Sequence, residues 1–171
     1  RFWLGEYDST RTLVIDPVVM YTNYLGGSLA DFSNGIAVAL GGDTYVVGAS
    51  HSTDYPSASA FQATKGSNFD AVVTRINEHG TGIVFSTFIG GGASDTARAI
   101  ALDGAIYIAG TTSSTDFPTA SPIQAANGGL SDGFIARLSL DGTTLMYSTY
   151  IGGSDADELN GIDVLSGVAY V

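Results

Sequence analysis

Short apolar runs follow one another along the chain and come in sets of four. Ile36–Leu40, Tyr45–Ala49, Ala71–Ile76 and Ile83–Ile89 are each five to seven residues of β-branched, aromatic and small side chains. Turn chemistry bounds them, with Gly41-Gly-Asp43 after the first and Glu78-His-Gly-Thr-Gly82 before the last. Runs of this length, with this composition and this punctuation, predict β-strands joined by tight turns. Apolar side chains occupy both faces of the runs, as expected for sheets packed between neighbouring sheets. No segment sustains a helical period.

The set then repeats. Tyr21-Thr-Asn-Tyr-Leu-Gly-Gly-Ser28 returns as Phe85-Ser-Thr-Phe-Ile-Gly-Gly-Gly92 and as Tyr147-Ser-Thr-Tyr-Ile-Gly-Gly-Ser154, at offsets of 64 and 62 residues. An Asp follows each copy in register (Asp31, Asp95, Asp157), and then an apolar segment: Gly35–Val38, Ala99–Leu102 and Gly161–Val164. A second strand follows in each copy: Thr44–Gly48, Ile106–Gly110 and Val168–Val171. Ser52-Thr-Asp-Tyr-Pro56 is matched by Ser114-Thr-Asp-Phe-Pro118, and Asp70-Ala-Val-Val-Thr-Arg-Ile76 by Asp132-Gly-Phe-Ile-Ala-Arg-Leu138. Internal repetition at a fixed period is the signature of a repeat architecture. Four-stranded antiparallel units repeating along a chain predict an all-β fold of β-propeller blades, with a repeat of about 62 residues.

The expected organisation is a lead-in strand over residues 1–10, a half-blade (strands three and four) over 11–28, and full blades over 29–92 and 93–154. A second half-blade (strands one and two) follows over 155–171. In the first half-blade, Leu13–Ile15 and Val18–Leu25 are read as strands three and four, joined by a short Asp16-Pro17 turn. The total is about three blades, whereas closed propellers have four to eight. The expectation is therefore an open ring continued by further blades of a longer chain, or a ring or filament completed in trans by other copies.

The ordered motifs Tyr-Ser-Thr-Tyr-Ile-Gly-Gly-Ser154, Tyr107-Ile-Ala-Gly110, Ser114-Thr-Asp-Phe-Pro118 and Asp132–Leu138 resemble the bacterial SBBP repeat, a β-propeller repeat of large exported proteins. The resemblance spans about residues 11–171. The opening, from Leu4-Gly-Glu-Tyr-Asp8 to Leu13-Val-Ile-Asp-Pro17, is similar to the junction that precedes such repeats. The resemblance implies a propeller fold and a secreted or cell-surface location, and little chemistry.

Charge narrows the partners. Seventeen acidic residues against six basic ones give a net charge of −11, and Lys65 is the only lysine. Such a chain repels phosphate backbones and anionic membranes, so nucleic acid and membrane insertion are excluded as expected partners. No apolar stretch approaches the length of a membrane span. With no cysteine, disulfides and thiolate-held metals are excluded. Residues 1–8 have no signal-peptide architecture, so an export signal is expected upstream of this segment.

Candidate chemistry is sparse. His51-Ser-Thr-Asp54 holds triad residue types, but neighbours along an extended segment point alternately, and the matching Ser113-Ser-Thr-Asp116 has no histidine. Its Ser, Thr and Asp are read as turn residues. His79 sits in a turn with no second ligand at metal spacing. Ser139-Leu-Asp-Gly-Thr-Thr144 is only loosely similar to a sialidase Asp-box, and Arg75 and Arg137 recur at the ends of third strands, which suggests pairing with neighbouring carboxylates. The Gly-Gly pairs lack the Lys-Ser/Thr of a phosphate loop and are read as sharp turns between blades.

Two ligand classes remain. Asp155, Asp157 and Glu158 put three carboxylates beside a Gly-Gly turn, an oxygen cluster of the kind calcium favours. Tyr55 and Phe117 recur in the long loop and are candidate glycan-stacking aromatics. The expected function is a non-enzymatic surface scaffold or adhesion module contacting surface proteins or glycans. The alternatives are a self-assembling filament or layer subunit joined by completed half-blades, and a fragment of a polysaccharide-active enzyme.

Overall fold

The computed structural model describes Val19 and residues 21–171. Among them every helix or strand is a strand: β1 (Asp31–Val38), β2 (Thr44–Ser50), β3 (Asp70–Ile76), β4 (Ile83–Ile89), β5 (Asp95–Leu102), β6 (Ile106–Thr112), β7 (Asp132–Leu138), β8 (Leu145–Ile151), β9 (Asp163–Leu165) and β10 (Val168–Tyr170). The expected all-β class is the observed one. Two four-stranded antiparallel sheets, ordered β1-β2-β3-β4 and β5-β6-β7-β8, are followed by the two-stranded hairpin β9-β10.

The two large sheets share one register. Gly48 pairs with Val72 as Gly110 pairs with Phe134, and Arg75 pairs with Phe85 as Arg137 pairs with Tyr147. In both, the first strand carries a bulge, between Ser33 and Gly35 in β1 and between Ala97 and Ala99 in β5. The bulge explains why β1 begins at Asp31, five residues before the apolar run at Ile36. One extra residue lets pairing continue through the polar stretch, where Asp31 lies opposite Ser50. Opposite the bulge the backbones approach so closely that a methyl group on Gly48 would collide with the carbonyl of Phe32, and one on Gly110 with that of Thr96.

The core lies between the sheets. Tyr45, Val47, Val73, Phe85 and Ile89 of the first sheet and Ile106, Ile108, Phe134, Leu138 and Tyr150 of the second form one buried cluster. Strands β2, β3, β6 and β7 are buried along most of their length, which is why their sequences read as apolar on both faces. Strand β5 lies against β1, β2 and β3, and β9 lies against β5, so each unit stacks on the one before it through its first strand.

Specific contacts repeat at each junction. Gly142, at φ +73°, sits in the β7–β8 turn directly on the Phe85 ring, and Gly80, at φ +68° in the β3–β4 turn, sits in the same way on the Tyr21 ring. Asn34, in the bulge of β1, donates to the Ala97 carbonyl at 2.9 Å, and Arg98, in the bulge of β5, pairs with Glu158 at 3.0 Å. Arg75 binds Asp43 at 2.5 Å within its own sheet and donates to the Leu140 carbonyl at 3.2 Å in the next. The neighbour's acceptor is thus a main-chain oxygen, not the carboxylate expected. Arg137 has no counterpart of Asp43, because Ala105 fills that position; it lies over the Tyr107 ring at 5.3 Å with its Nε unpartnered.

The expected lead-in strand (1–10) and the Leu13–Ile15 strand lie outside the described residues. Of the expected Val18–Leu25 strand, Val19 and residues 21–25 are described and carry no ladder; residues 21–25 lie beside the first sheet. They are held instead by side chains, with the Tyr21 hydroxyl 3.0 Å from Thr44 Oγ1 and Asn23 donating to the Gly80 carbonyl at 2.6 Å. The C-terminal half-unit forms as a hairpin, with β9 starting at Asp163.

Candidate functional site

The recurring polar residues converge on the turns that carry the chain from one sheet to the next. In the turn after β4, four consecutive amides each find a side-chain acceptor. Gly90 N donates to Gln62 Oε1 at 3.1 Å, Gly91 N to Asp95 Oδ2 at 2.8 Å, Gly92 N to Asp116 Oδ1 at 2.8 Å and Ala93 N to Ser114 Oγ at 2.9 Å. Backbone amides leaving a strand need partners once buried, and here side chains from both sheets supply them.

The same clamp recurs on either side. Before β1, Gly27 N donates to Asp31 Oδ2 at 2.7 Å, Ser28 N to Asp54 Oδ1 at 2.8 Å and Leu29 N to Ser52 Oγ at 2.8 Å. After β8, Gly152 N donates to Gln124 Oε1 at 3.1 Å and Gly153 N to Asp157 Oδ2 at 2.6 Å. The Ser-Thr-Asp-aromatic-Pro motif is therefore the device by which the long loop after each second strand grips the preceding turn. Ser52 and Asp54 are engaged in that grip, while the His51 ring packs on Phe69 at 5.0 Å, so the triad residue types do not meet as a relay.

The strand-initial aspartates stand at the centre of each clamp. Asp95 is fully buried; its carboxylate takes the Gly91 amide, the Ser114 hydroxyl at 2.9 Å and the Thr112 hydroxyl. Burial pushes its carboxyl up to about 6, against those three donors and with help from the charge of Asp70. Asp54 is held below the usual carboxylate range by the amide and hydroxyl of Ser28.

Sequence reasoning missed Gln62, Gln124 and the depth of Asp70 and Asp132. Gln62 bridges the Gly90 amide to Asp70 Oδ2 (3.1 Å), as Gln124 bridges the Gly152 amide to Asp132 Oδ2 (2.6 Å). Phe61-Gln-Ala63 and Ile123-Gln-Ala125 recur in register, and that repetition was the available signal.

Tyr55 and Phe117 are both buried. Tyr55 packs with Val72 and Phe88 and its hydroxyl lies 3.2 Å from Thr74 Oγ1. Phe117 packs on Phe134 and Tyr150, with ring centroids 4.5 and 6.1 Å away. Each ring pins its loop to its own sheet and has no free face on which a sugar could stack. The three acidic residues proposed for calcium take separate positions. Asp157 accepts the Gly153 amide, Glu158 pairs with Arg98, and Asp155 is exposed. Among the described residues no three His, Asp or Glu side chains gather closely enough to hold a metal ion.

No protein-family model matches the chain, and no curated protein is similar to it. Among the described residues no helix is long and apolar enough to cross a membrane.

Proposed function

We propose that this chain is a run of β-propeller blades of the SBBP type, belonging to an exported cell-surface protein, and that it acts as a non-enzymatic scaffold or adhesion module. The observation that carries this reading is the clamp at residues 90–93, whose four amides are held by side chains from two successive sheets. The recurring polar residues are committed to joining one unit to the next, so the surface offered to partners is the outer strands and turns. Partly exposed apolar side chains such as Ile83, Val84 and Met146 lie there. Binding to immobilised glycans or surface proteins, without turnover of either, is the expected behaviour. Hydrolysis of a polysaccharide by the purified chain would overturn the reading.

A second reading is self-assembly by completion of half-blades. The β9-β10 hairpin supports it, matching the first two strands of each large sheet while Leu165, Val168 and Tyr170 remain more than half exposed. A third strand supplied by another copy would pair along the free edge of β10. Light scattering across a concentration series tests it. Discrete rings or filaments support assembly, and a concentration-independent monomer excludes it for this segment.

A further inference from the structure

The described stack leaves an apolar face at each end, and the two faces match the two sides of the junction between the large sheets. At the leading end, Tyr21 meets Gly80 as Phe85 meets Gly142, so residues 21–25 take the place of a fourth strand in front of the first sheet. Beside them opens a cleft of about 490 Å³, walled by Tyr21, Leu25, Ile36, Thr44, Val46 and Ile76. No wall of the cleft carries a charge, and Ile36 and Val38, on one face of β1, are more than half exposed. By register, Ile36, Val38, Thr44, Val46 and Ile76 correspond to Ile100, Leu102, Ile106, Ile108 and Leu138 of the second sheet. Those side chains share one cluster with Tyr45, Val47 and Val73 of the sheet before. Among the described residues, nothing stands at the leading end where Tyr45 and Val47 stand in that junction.

The trailing end carries the matching strand. Tyr170 pairs with Asp163 as Tyr107 pairs with Ala101 and Tyr45 with Ala37, which makes it the third member of the Tyr45 series. Successive strand residues point to opposite faces. Ala169 turns toward the second sheet, where it lines a cleft with Tyr107, while Leu165, Val168 and Tyr170 turn away and are more than half exposed. Asn160 extends the match. It precedes Gly161-Ile162 as Asn34 precedes Gly35-Ile36, and it is exposed, whereas Asn34 donates to the Ala97 carbonyl of the next sheet. The counterpart of Ala97 in the first sheet is Ser33, which lines the empty cleft.

We propose that a second copy of this chain fills the cleft: the outer face of its β9–β10 hairpin docks on β1 and β2, with its Tyr170 beside Tyr21 and its Asn160 on the Ser33 carbonyl. The inference rests on the self-assembly reading above and names the two surfaces and their polarity. The contact continues an interface already made twice within the chain, where β5 lies on the first sheet and β9 on β5. It joins a head, the face of β1 and β2, to a tail, the face of β9 and β10. Each joined pair therefore keeps one free head and one free tail, and addition proceeds until a ring closes or a filament grows. Charge favours this face over others. Chains of net charge −11 repel one another, and a cleft with uncharged walls is where two of them meet at least cost.

The test uses one exposed position on each surface. Ile36→Asp blocks the head and Tyr170→Asp the tail, and a charge placed in either face is expected to weaken association about a hundredfold or more. In light scattering the native chain is expected to gain mass with concentration, and each variant alone to stay at the mass of one chain. An equimolar mixture of the two is expected to double that mass and stop there, because one variant keeps its tail and the other its head. Circular dichroism checks that both fold; Val38→Asp and Leu165→Asp, also at exposed positions, replace a variant that does not. A native chain that keeps the mass of one chain at every concentration overturns the self-assembly reading and this proposal together, and leaves the cleft to a further unit of a longer chain. A native chain that assembles while both variants assemble equally well overturns this proposal alone, as does a mixture of monomeric variants that fails to pair.

Discussion

Phe85 lying against Gly142 makes the coupling between sheets measurable by a matched pair of substitutions. Gly142→Ala and Gly104→Ala each place an alanine in the left-handed region, at φ +73° and φ +62°. The backbone penalty is thus the same for both, about 1 kcal/mol and at most about 2 kcal/mol. Their surroundings differ completely. A methyl group at Gly104 meets nothing within 4 Å, whereas at Gly142 it runs into the Phe85 ring. That ring is 1% exposed and packs edge-on to Tyr45 at 6.2 Å, so it has nowhere to retreat. Overpacking of this kind costs about 1–3 kcal/mol. Gly142→Ala is therefore expected to exceed Gly104→Ala by about 1–3 kcal/mol, several degrees in Tm for a chain of this size. Urea denaturation followed by circular dichroism reads the difference directly. Equal losses, within about 0.5 kcal/mol, would show that the ring does not rest on this turn and that the units are stacked differently. Gly80→Ala, whose ring, Tyr21, is only partly buried and can move aside, is expected to lose less than Gly142→Ala.

Two further outcomes follow from the same contacts. Tyr55→Phe removes only the hydroxyl contact with Thr74 and is expected to cost about 1 kcal/mol, while Tyr55→Ala empties a buried ring site and costs about 3–5 kcal/mol, as chemical denaturation would show. Arg75→Met breaks the Asp43 pair and the Leu140 bond and is expected to cost about 1.5–3 kcal/mol, whereas Arg137→Met, which relieves an unpartnered Nε, is expected to stay within about 1 kcal/mol of the parent; parallel urea titrations would decide, and equal losses would refute the contrast.

Repetition made most of the fold legible. The strands are readable because β2, β3, β6 and β7 are buried on both sides along most of their length and so are predominantly apolar, between turn residues. Strand β1 starts earlier than its apolar run because Asp31, Ser33 and Asn34 are polar, and only tertiary structure shows that a bulge and the Ser50 hydroxyl allow this stretch to pair. The site was less legible. Asp31, Asp95 and Asp157 were noticed because they recur, yet recurrence alone does not distinguish a ligand from a main-chain acceptor. Tyr55 and Phe117 have the same ambiguity, because an aromatic before proline reads alike whether its ring faces sugar or core. Gln62 and Gln124 sit in a loop without periodicity, and their partner amides lie 28 residues further along the chain.

The clamp at residues 90–93 also fixes where such a chain could be cut and rejoined. Its acceptors come from Gln62 on one side and from Asp95, Ser114 and Asp116 on the other, so a boundary between Gly90 and Gly91 parts none of its bonds, whereas a boundary after Gly92 separates the Gly91 and Gly92 amides from Asp95 and Asp116. The middle of the Gly-Gly pair is therefore the seam at which whole units could be exchanged. Arrays of this kind would grow and shrink by duplicating segments that begin and end between those two glycines, each unit bringing its own acceptors with it.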